Sequence, residues 1–116
     1  MSDVDAMRKI AVILVADVVG YSKHMEQDEK ATLGAYAECE NLFKDLLEKR
    51  NGSIFNTAGD SILAEFTSAV NAVEFAVEFQ NKIMERNKSD NISAALEFRI
   101  GINMRDVVSK EDNLLG

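Results

Sequence analysis

Apolar and polar positions alternate along the 116-residue chain in patterns that predict a small set of strands. Residues 9–16 are almost all apolar and rich in isoleucine and valine, which is typical of a strand buried on both faces. Residues 53–57 and 61–66 are short runs separated by Ala-Gly-Asp, a pattern that predicts a hairpin. Residues 96–104 alternate strictly between apolar and polar side chains and predict a half-buried strand, with a return strand at residues 106–109.

Two long helices are predicted between these strands. The first has Asp28 as its N-cap, extends to Arg50, and is stopped by Asn51 and Gly52. The second begins after Thr67 or Ser68 and ends near residue 87. Apolar residues recur at helical spacing in both helices. In the first they are Leu33, Tyr36, Phe43 and Leu47; in the second they are Val70, Val73, Val77 and Met84, with Ala69, Ala72, Ala76 and Ile83 beside them.

The order of these elements is strand, helix, hairpin, helix, strand, strand, with a further short helix expected within residues 18–26. Helices would cover one face of a mostly antiparallel sheet, which is an α+β arrangement of the ferredoxin-like kind. We expect residues 1–8 to be a polar leader and residues 9–116 to form one domain.

Composition narrows the classes of partner. A net charge of -7, from 20 acidic and 13 basic residues, argues against nucleic acid and anionic membranes as partners. The apolar runs are too short to span a bilayer, and the acidic start differs from a signal peptide. The single cysteine, Cys39, has no internal disulfide partner and is expected to pack within the first long helix, so a cytoplasmic location is expected.

Two aspartates stand out for chemistry. Asp17 follows the first apolar run and is followed by Gly20 and Ser22, whereas Asp60 follows Gly59 in the predicted hairpin turn. Either aspartate alone is common at a strand end or a turn. Taken together with the glycines, they suit a pair of divalent cations that hold a polyphosphate.

These segments resemble the catalytic domain of class III adenylate/guanylate cyclases. Residues 16–22, Ala-Asp-Val-Val-Gly-Tyr-Ser, match the motif that carries the family's first metal-binding aspartate. Residues 56–60, Asn-Thr-Ala-Gly-Asp, match the second, except that Asn56 stands where a lysine is usual. Residues 98–103, Phe-Arg-Ile-Gly-Ile-Asn, match a later strand of the family. The three motifs occur in the family's order, and the resemblance extends over residues 8–116.

The resemblance implies a set of site residues. Asp17 and Asp60 would bind two Mg²⁺ or Mn²⁺ ions, and the main-chain carbonyl of Val18 would complete one metal site. Four main-chain amides would hold the β- and γ-phosphates, at Val19, Gly20, Tyr21 and Ser22. Asn56 and Asn113 occupy the positions that contact the purine, which are lysine and aspartate in members that use ATP. A carboxamide both donates and accepts, so ATP and GTP both remain open as substrates.

The implied reaction converts ATP or GTP to the 3′,5′-cyclic monophosphate and pyrophosphate, in sites built across a head-to-tail homodimer. An Asn-x-x-x-Arg helix and a lysine of the family follow the position of Gly116, so we expect an incomplete domain that is inactive alone and self-associates. The alternative is a cyclase-like module that binds nucleotide or dimerises without catalysis. A diguanylate cyclase is less favoured because its Gly-Gly-Asp/Glu-Glu-Phe signature is absent. His24 is expected on the surface of the short helix, and Arg105, where the family often has glycine, has no explanation.

Overall fold

The computed structural model describes residues 8–110 and 113–115, which form five strands and three helices. In chain order these are β1 (Arg8–Val18), α1 (Tyr21–Gln27), α2 (Glu29–Lys49), β2 (Ser53–Ala58), β3 (Ser61–Phe66), α3 (Ala69–Asn87), β4 (Phe98–Lys110) and β5 (Asn113–Leu115). Within these residues, the helices are all too short or too polar to cross a membrane.

The strands form one sheet in the order β2-β3-β1-β4-β5, and every neighbouring pair is antiparallel. Alternate residues of β1 are buried in the core that the helices share, namely Val12, Leu14, Ala16 and Val18. Because side chains alternate across a strand, Ile13, Val15 and Asp17 lie on the opposite face, which we call the open face of the sheet. The predicted α+β arrangement, with helices on one face of an antiparallel sheet, is confirmed.

Aromatic side chains form the centre of the core. Phe43 of α2 lies 4.7 Å from Phe75 and 5.3 Å from Phe79, both of α3, between ring centroids. Phe79 also meets Phe98 of β4 at 5.2 Å, and Phe66 of β3 meets Phe75 at 5.4 Å. Most of these pairs are edge-to-face, which is a favourable arrangement for aromatic rings. The cluster therefore joins both long helices to the sheet.

The helix caps are as predicted, but the buried stripes are not all the expected ones. The Asp28 side chain accepts from the amide of Ala31 at 3.0 Å, and the Ser68 side chain accepts from that of Asn71 at 3.3 Å. In α2, Leu33 is 48% exposed. In α3 the predicted stripe of Val70, Val73, Val77 and Met84 is exposed, and the buried residues are Ala72, Phe75, Phe79 and Ile83. Helical spacing fits both stripes of α3, and the phenylalanines bury more apolar area than the valines would.

The prediction of a return strand at residues 106–109 is wrong. Those residues continue β4, which ends at Lys110, and the return strand is β5, at Asn113–Leu115. The reason is the length of β1, which begins at Arg8 and pairs with β4 as far as Val108. Because β4 pairs with this long strand, β4 stays extended beyond residue 104, where its own alternation of apolar and polar side chains ends. The predicted leader lies outside the described residues, except for Arg8, which belongs to β1.

Polar side chains of α3 fasten the connection between α3 and β4. The side chain of Arg86 is 8% exposed. Its Nη1 donates to the carbonyl of Ala94 at 2.8 Å, and its Nη2 lies 2.9 Å from Glu38 Oε2 of α2. Asn87 Nδ2 donates to the carbonyl of Leu96 at 2.8 Å. Gln80 Nε2 donates to that of Phe98 at 2.8 Å. These bonds fix the position at which β4 begins.

Cys39 is fully buried, as predicted, and should be chemically inert in the folded protein. Burial raises the pKa of its thiol to about 11, an effect that the nearby Arg86 guanidinium partly offsets. Because the raised pKa favours the neutral thiol, the reactive thiolate is scarce until the pH approaches 11. We expect Ellman's reagent to modify the native chain only as fast as it unfolds, and the denatured chain at once. Rapid modification of the native chain at mildly alkaline pH would contradict this.

Candidate functional site

The pairing of β1 with β3 brings the two motif aspartates together. Asp17 lies opposite Ser61 in the register of these antiparallel strands. Asp60 directly precedes Ser61, in the turn between β2 and β3. Strands that pair are about 4.8 Å apart, so both carboxylates lie at the same end of the sheet. Both residues are partly exposed, and a ligand can therefore reach them.

The glycine next to each aspartate is required by the backbone rather than by packing. Gly20 has a φ of 67° and caps α1, and Gly59 has a φ of 57° in the hairpin turn. At both positions no heavy atom lies within 4 Å of the place that a Cβ would occupy. Left-handed backbone is disfavoured for residues with a Cβ even in open space. The turns that present Asp17 and Asp60 thus depend on these glycines.

One of the four main-chain amides expected to bind phosphate is already hydrogen-bonded, which leaves three candidates. The amide of Val19 donates to the carbonyl of Glu97 at 2.8 Å, so this amide is already engaged. Gly20 caps α1, and Tyr21 and Ser22 form its first residues. Amides in the first turn of a helix have no intrahelical acceptor, because the acceptor would lie before the helix begins. The amides of Gly20, Tyr21 and Ser22 remain candidates.

Arg99 of β4 is a site residue that the sequence analysis did not identify. It lies directly opposite Asp17 in the pairing of β1 with β4, and its Nε is 3.4 Å from Asp17 Oδ1. The side chain of Arg99 is 72% exposed and that of Asp17 is 31% exposed. In the sequence, Arg99 lies within the third matched motif, at residues 98–103, but nothing there indicates a contact with Asp17. Its contact depends on the register of two segments more than 80 positions apart, which no local pattern supplies.

Tyr36 of α2 lies behind the site. Its ring meets that of Tyr21 edge to face at 6.3 Å, and its hydroxyl is buried without a hydrogen-bond partner among the described residues. Burial, followed by the negative charges of Glu40 and Asp60, raises the pKa of Tyr36 to about 12. Asp60 is thus close enough for its charge to be felt at the hydroxyl. The sequence placed Tyr36 on an apolar stripe and gave no sign of this proximity.

His24 helps to set the corner between α1 and α2. Its carbonyl accepts from the amide of Asp28 at 3.0 Å and from Thr32 Oγ1 at 3.0 Å, which also provides the buried Thr32 hydroxyl with a partner. The side chain of His24 is half-buried, whereas a surface position was predicted. The His24 amide also donates to the carbonyl of Gly20 at 3.0 Å, so the backbone of His24 links the start of α1 to the start of α2.

The two predicted purine-contacting positions lie far apart in one chain. Asn56 is on β2, opposite Leu63 of β3, near the hairpin turn that carries Asp60. Asn113 is on β5, opposite Lys110 of β4. Lys110 is eleven residues along β4 from Arg99, which corresponds to about 36 Å of strand. The structure therefore does not bring Asn113 to the aspartates of its own chain.

The donor atoms near Asp17 and Asp60 fit a hard divalent cation. Two carboxylates, the Ser61 hydroxyl and main-chain carbonyls are the oxygen ligands that Mg²⁺ and Mn²⁺ prefer. Within residues 8–110 and 113–115, there is no group of three or more histidine, cysteine, aspartate or glutamate side chains that could hold a metal. This donor set suits a cation that keeps several ligands from water or substrate, as Mg²⁺ does, and not a closed structural zinc site.

Known proteins of similar sequence and structure are cyclases. The chain is 38% identical over 110 residues to "Putative adenylate cyclase 3" of Rhizobium meliloti (strain 1021), and covers 94% of itself and 19% of that protein. It also resembles the crystal structure of an adenylate/guanylate cyclase/hydrolase from Silicibacter pomeroyi, with a TM-score of 0.80 and 32% identity over 94% of this chain and 64% of the other. The chain thus spans about a fifth and about two-thirds of these two relatives.

The guanylyl cyclase Cya2 supports the same fold, with a TM-score of 0.75 and 24% identity over 92% of this chain and 61% of the other. No protein-family model matches the chain. The sequence motifs, the antiparallel sheet with its paired aspartates and these relatives all agree. Together they show that the chain is similar, in sequence and in fold, to the catalytic domains of class III adenylate/guanylate cyclases.

Proposed function

We propose that the chain supplies the metal- and triphosphate-binding part of a nucleotidyl cyclase site, which converts ATP or GTP to the 3′,5′-cyclic monophosphate and pyrophosphate. The observation that carries the proposal is the register between Asp17 and Ser61, which places Asp17 and Asp60 at one end of the sheet. Two adjacent carboxylates repel each other unless a cation lies between them. The names of the relatives, a putative adenylate cyclase and an adenylate/guanylate cyclase/hydrolase, support the same assignment.

In this proposal each group has a defined role. Asp17, Asp60 and the carbonyl of Val18 would hold two Mg²⁺ or Mn²⁺ ions. Those ions, when bound, would lower the pKa of the ribose 3′-hydroxyl and neutralise charge on the triphosphate. The amides of Gly20, Tyr21 and Ser22 would donate to phosphate oxygens. Gly20 and Gly59 would keep the two loops in the conformations that present these groups.

A homodimer would complete the site. Asn113 lies about 36 Å along β4 from the level of Arg99, so it would contact a purine only in the site of a partner subunit. Asn56 would contribute to the same purine contacts from the β2–β3 hairpin. Both asparagines can donate and accept, so we propose weak discrimination between ATP and GTP.

Removing both carboxylates should weaken binding of a metal–nucleotide complex. We expect the chain to bind a non-hydrolysable ATP or GTP analogue in the presence of Mn²⁺. The double variant Asp17→Asn, Asp60→Asn should bind it at least about tenfold more weakly. Loss of a residue that only supports a metal ligand already lowers metal affinity about 10- to 100-fold, and loss of the ligands themselves should lower it at least as much. Isothermal titration calorimetry measures both affinities, and circular dichroism checks that both proteins are folded.

The matched control is the double variant Asp45→Asn, Asp90→Asn, which removes the same charge from two exposed residues outside the motifs. It should bind the complex as tightly as the unmodified chain. If the control loses affinity equally, net charge and not the aspartate pair governs binding, and the proposal fails. Cyclic nucleotide is assayed in the same samples, and any turnover should be lost in Asp60→Ala.

A further inference from the structure

A tyrosine hydroxyl lies unpaired in the interior behind the candidate metal site. It belongs to Tyr36 of α2 and is buried, with no hydrogen-bond partner in the part of the chain that the structure describes. Buried polar groups are nearly always paired, and an unpaired one lowers stability. A phenylalanine would fill the same space without that cost. The hydroxyl therefore indicates a role for Tyr36 beyond packing.

The ring of Tyr36 is held in place from two sides. It meets the ring of Tyr21 edge to face, with 6.3 Å between the centroids, and it packs against the buried core. Tyr21 follows Gly20, whose left-handed backbone sets the turn after β1. A ring that is fixed by packing on both sides does not readily turn its hydroxyl toward solvent. The groups around the hydroxyl are therefore set by the fold.

Two carboxylates act on this hydroxyl. Glu40 lies one turn further along α2, and Asp60 lies in the turn between β2 and β3. After burial, the charges of Glu40 and Asp60 are the largest causes that raise the pKa of Tyr36 to about 12. A carboxylate accepts hydrogen bonds and has none to donate, so the tyrosine would be the donor to either group. Neither is a direct partner in the free chain, but one water molecule spans such a gap.

Of the two carboxylates, Asp60 has the greater need of a hydrogen bond. Glu40 already has a cation, because Lys44 Nζ lies 3.9 Å from its Oε1. Asp60 follows Gly59, which has a φ of 57° and no heavy atom within 4 Å of the place that a Cβ would occupy. The turn is therefore unsupported by packing at this point. Carboxylates that bind metals are usually hydrogen-bonded by a second residue, which fixes their orientation.

We propose that Tyr36 is a positioning residue for Asp60, and that its hydroxyl donates, directly or through one water, to the carboxylate oxygen that a bound divalent cation leaves free. This inference rests on the proposed function of the aspartate pair. The hydrogen bond would hold the Asp60 side chain in one orientation. Without it, Asp60 would still reach the cation but would lose more freedom on binding, so the affinity for the metal would fall.

Tyr36→Phe removes the hydroxyl and keeps the ring. With a non-hydrolysable ATP analogue present, we expect the affinity of the 116-residue chain for Mn²⁺ to fall about tenfold, the lower end of the range for residues that support a metal ligand. The melting temperature without metal should stay the same or rise, because the variant buries no unpaired hydroxyl. Electron paramagnetic resonance measures the affinity, and circular dichroism measures the melting temperature. A fall in both would indicate a merely structural role, and either that result or an unchanged affinity would overturn the inference.

Two controls test whether the hydroxyl acts through Asp60. Glu40→Gln neutralises the other carboxylate and should leave the Mn²⁺ affinity within about twofold, since surface charge pairs contribute little. A loss equal to that of Tyr36→Phe would show that Glu40 is the partner, and the inference would be wrong. Tyr36→Phe is also combined with Asp60→Ala and, separately, with Asp17→Ala. Its effect should persist in the Asp17→Ala chain and disappear in the Asp60→Ala chain, because only the latter lacks the acceptor.

Failure of this inference and failure of the proposed function give different results. If the unmodified chain binds Mn²⁺ with the analogue, and Tyr36→Phe has the same effect in the Asp17→Ala and Asp60→Ala chains, only the role of Tyr36 is overturned. If the unmodified chain binds no Mn²⁺ with the analogue at all, the proposed function is overturned, and the inference with it.

Discussion

Replacing Phe79 with alanine is expected to reduce the free energy of unfolding by about 3–5 kcal/mol, the range for deleting a buried aromatic side chain. Phe79 is fully buried, and its ring meets those of Phe43, Phe75 and Phe98. Removing it would leave a cavity between α2, α3 and β4 that the surrounding rings cannot fill. Because a domain of this size is stable by only about 5–15 kcal/mol, much of the chain's stability would be lost.

Val77→Ala is the control for this variant, because it shortens an apolar side chain two residues away on the same helix. Val77 is 57% exposed, so its truncation should change the free energy of unfolding by less than about 0.5 kcal/mol. Urea denaturation followed by circular dichroism measures both variants. If Val77→Ala were the more destabilising of the two, the valine stripe of α3, and not the phenylalanine stripe, would face the core.

Replacing Arg86 with methionine is expected to cost about 2–4 kcal/mol. Methionine keeps much of the apolar stem but removes the hydrogen bonds to the Ala94 carbonyl and the Asn87 side chain, together with the ion pair to Glu38. Hydrogen bonds from a charged donor stabilise more than neutral ones, and acceptors left unpaired in a half-buried place add a desolvation cost. Amide hydrogen exchange should become faster in the connection from residue 88 to 97.

Arg50→Met gives the comparison for Arg86. Arg50 also pairs with glutamates, at 3.2 Å from Glu74 and 3.9 Å from Glu78, but these pairs are open to water. We expect Arg50→Met to cost less than about 1 kcal/mol, and to leave hydrogen exchange of the connection unchanged. Equal losses of stability in the two variants would show that burial of Arg86 does not strengthen its contacts.

The sequence predicted the elements well where the signal is local. The hairpin turn at Gly59 and the helix caps at Asp28 and Ser68 each depend on a few adjacent residues, and each is found as predicted. The sequence could not distinguish the exposed valine stripe of α3 from its buried phenylalanine stripe. Both have helical spacing, and spacing does not say which of the two stripes faces the sheet. The end of β4 was misplaced because it is set by the length of β1, a partner far away in sequence.

In the candidate site, too, residues in local motifs could be predicted, whereas contacts between distant segments could not. Asp17 and Asp60 could be found because each lies in a short motif with its glycine. Arg99 also lies in a matched motif, but its contact with Asp17 could not be predicted, since that contact depends on which residue of β1 lies opposite it. The proximity of Tyr36 to Asp60 depends on how α2 packs behind the hairpin, and the engaged amide of Val19 depends on the carbonyl of Glu97, almost eighty residues later. Tertiary contacts of this kind leave no trace in local spacing.

The register between β1 and β3 has a consequence for how this chain tolerates change. Since Asp17 meets Ser61 through strand pairing, the spacing of the two aspartates does not depend on the length of the segment that links them. Insertions at the end of α2, near Asn51, would lengthen a surface connection and leave the carboxylates in place. A single residue inserted within β1 would instead turn Asp17 toward the helices and a core residue toward solvent. The site is therefore robust to changes of length between its strands and intolerant of them within a strand.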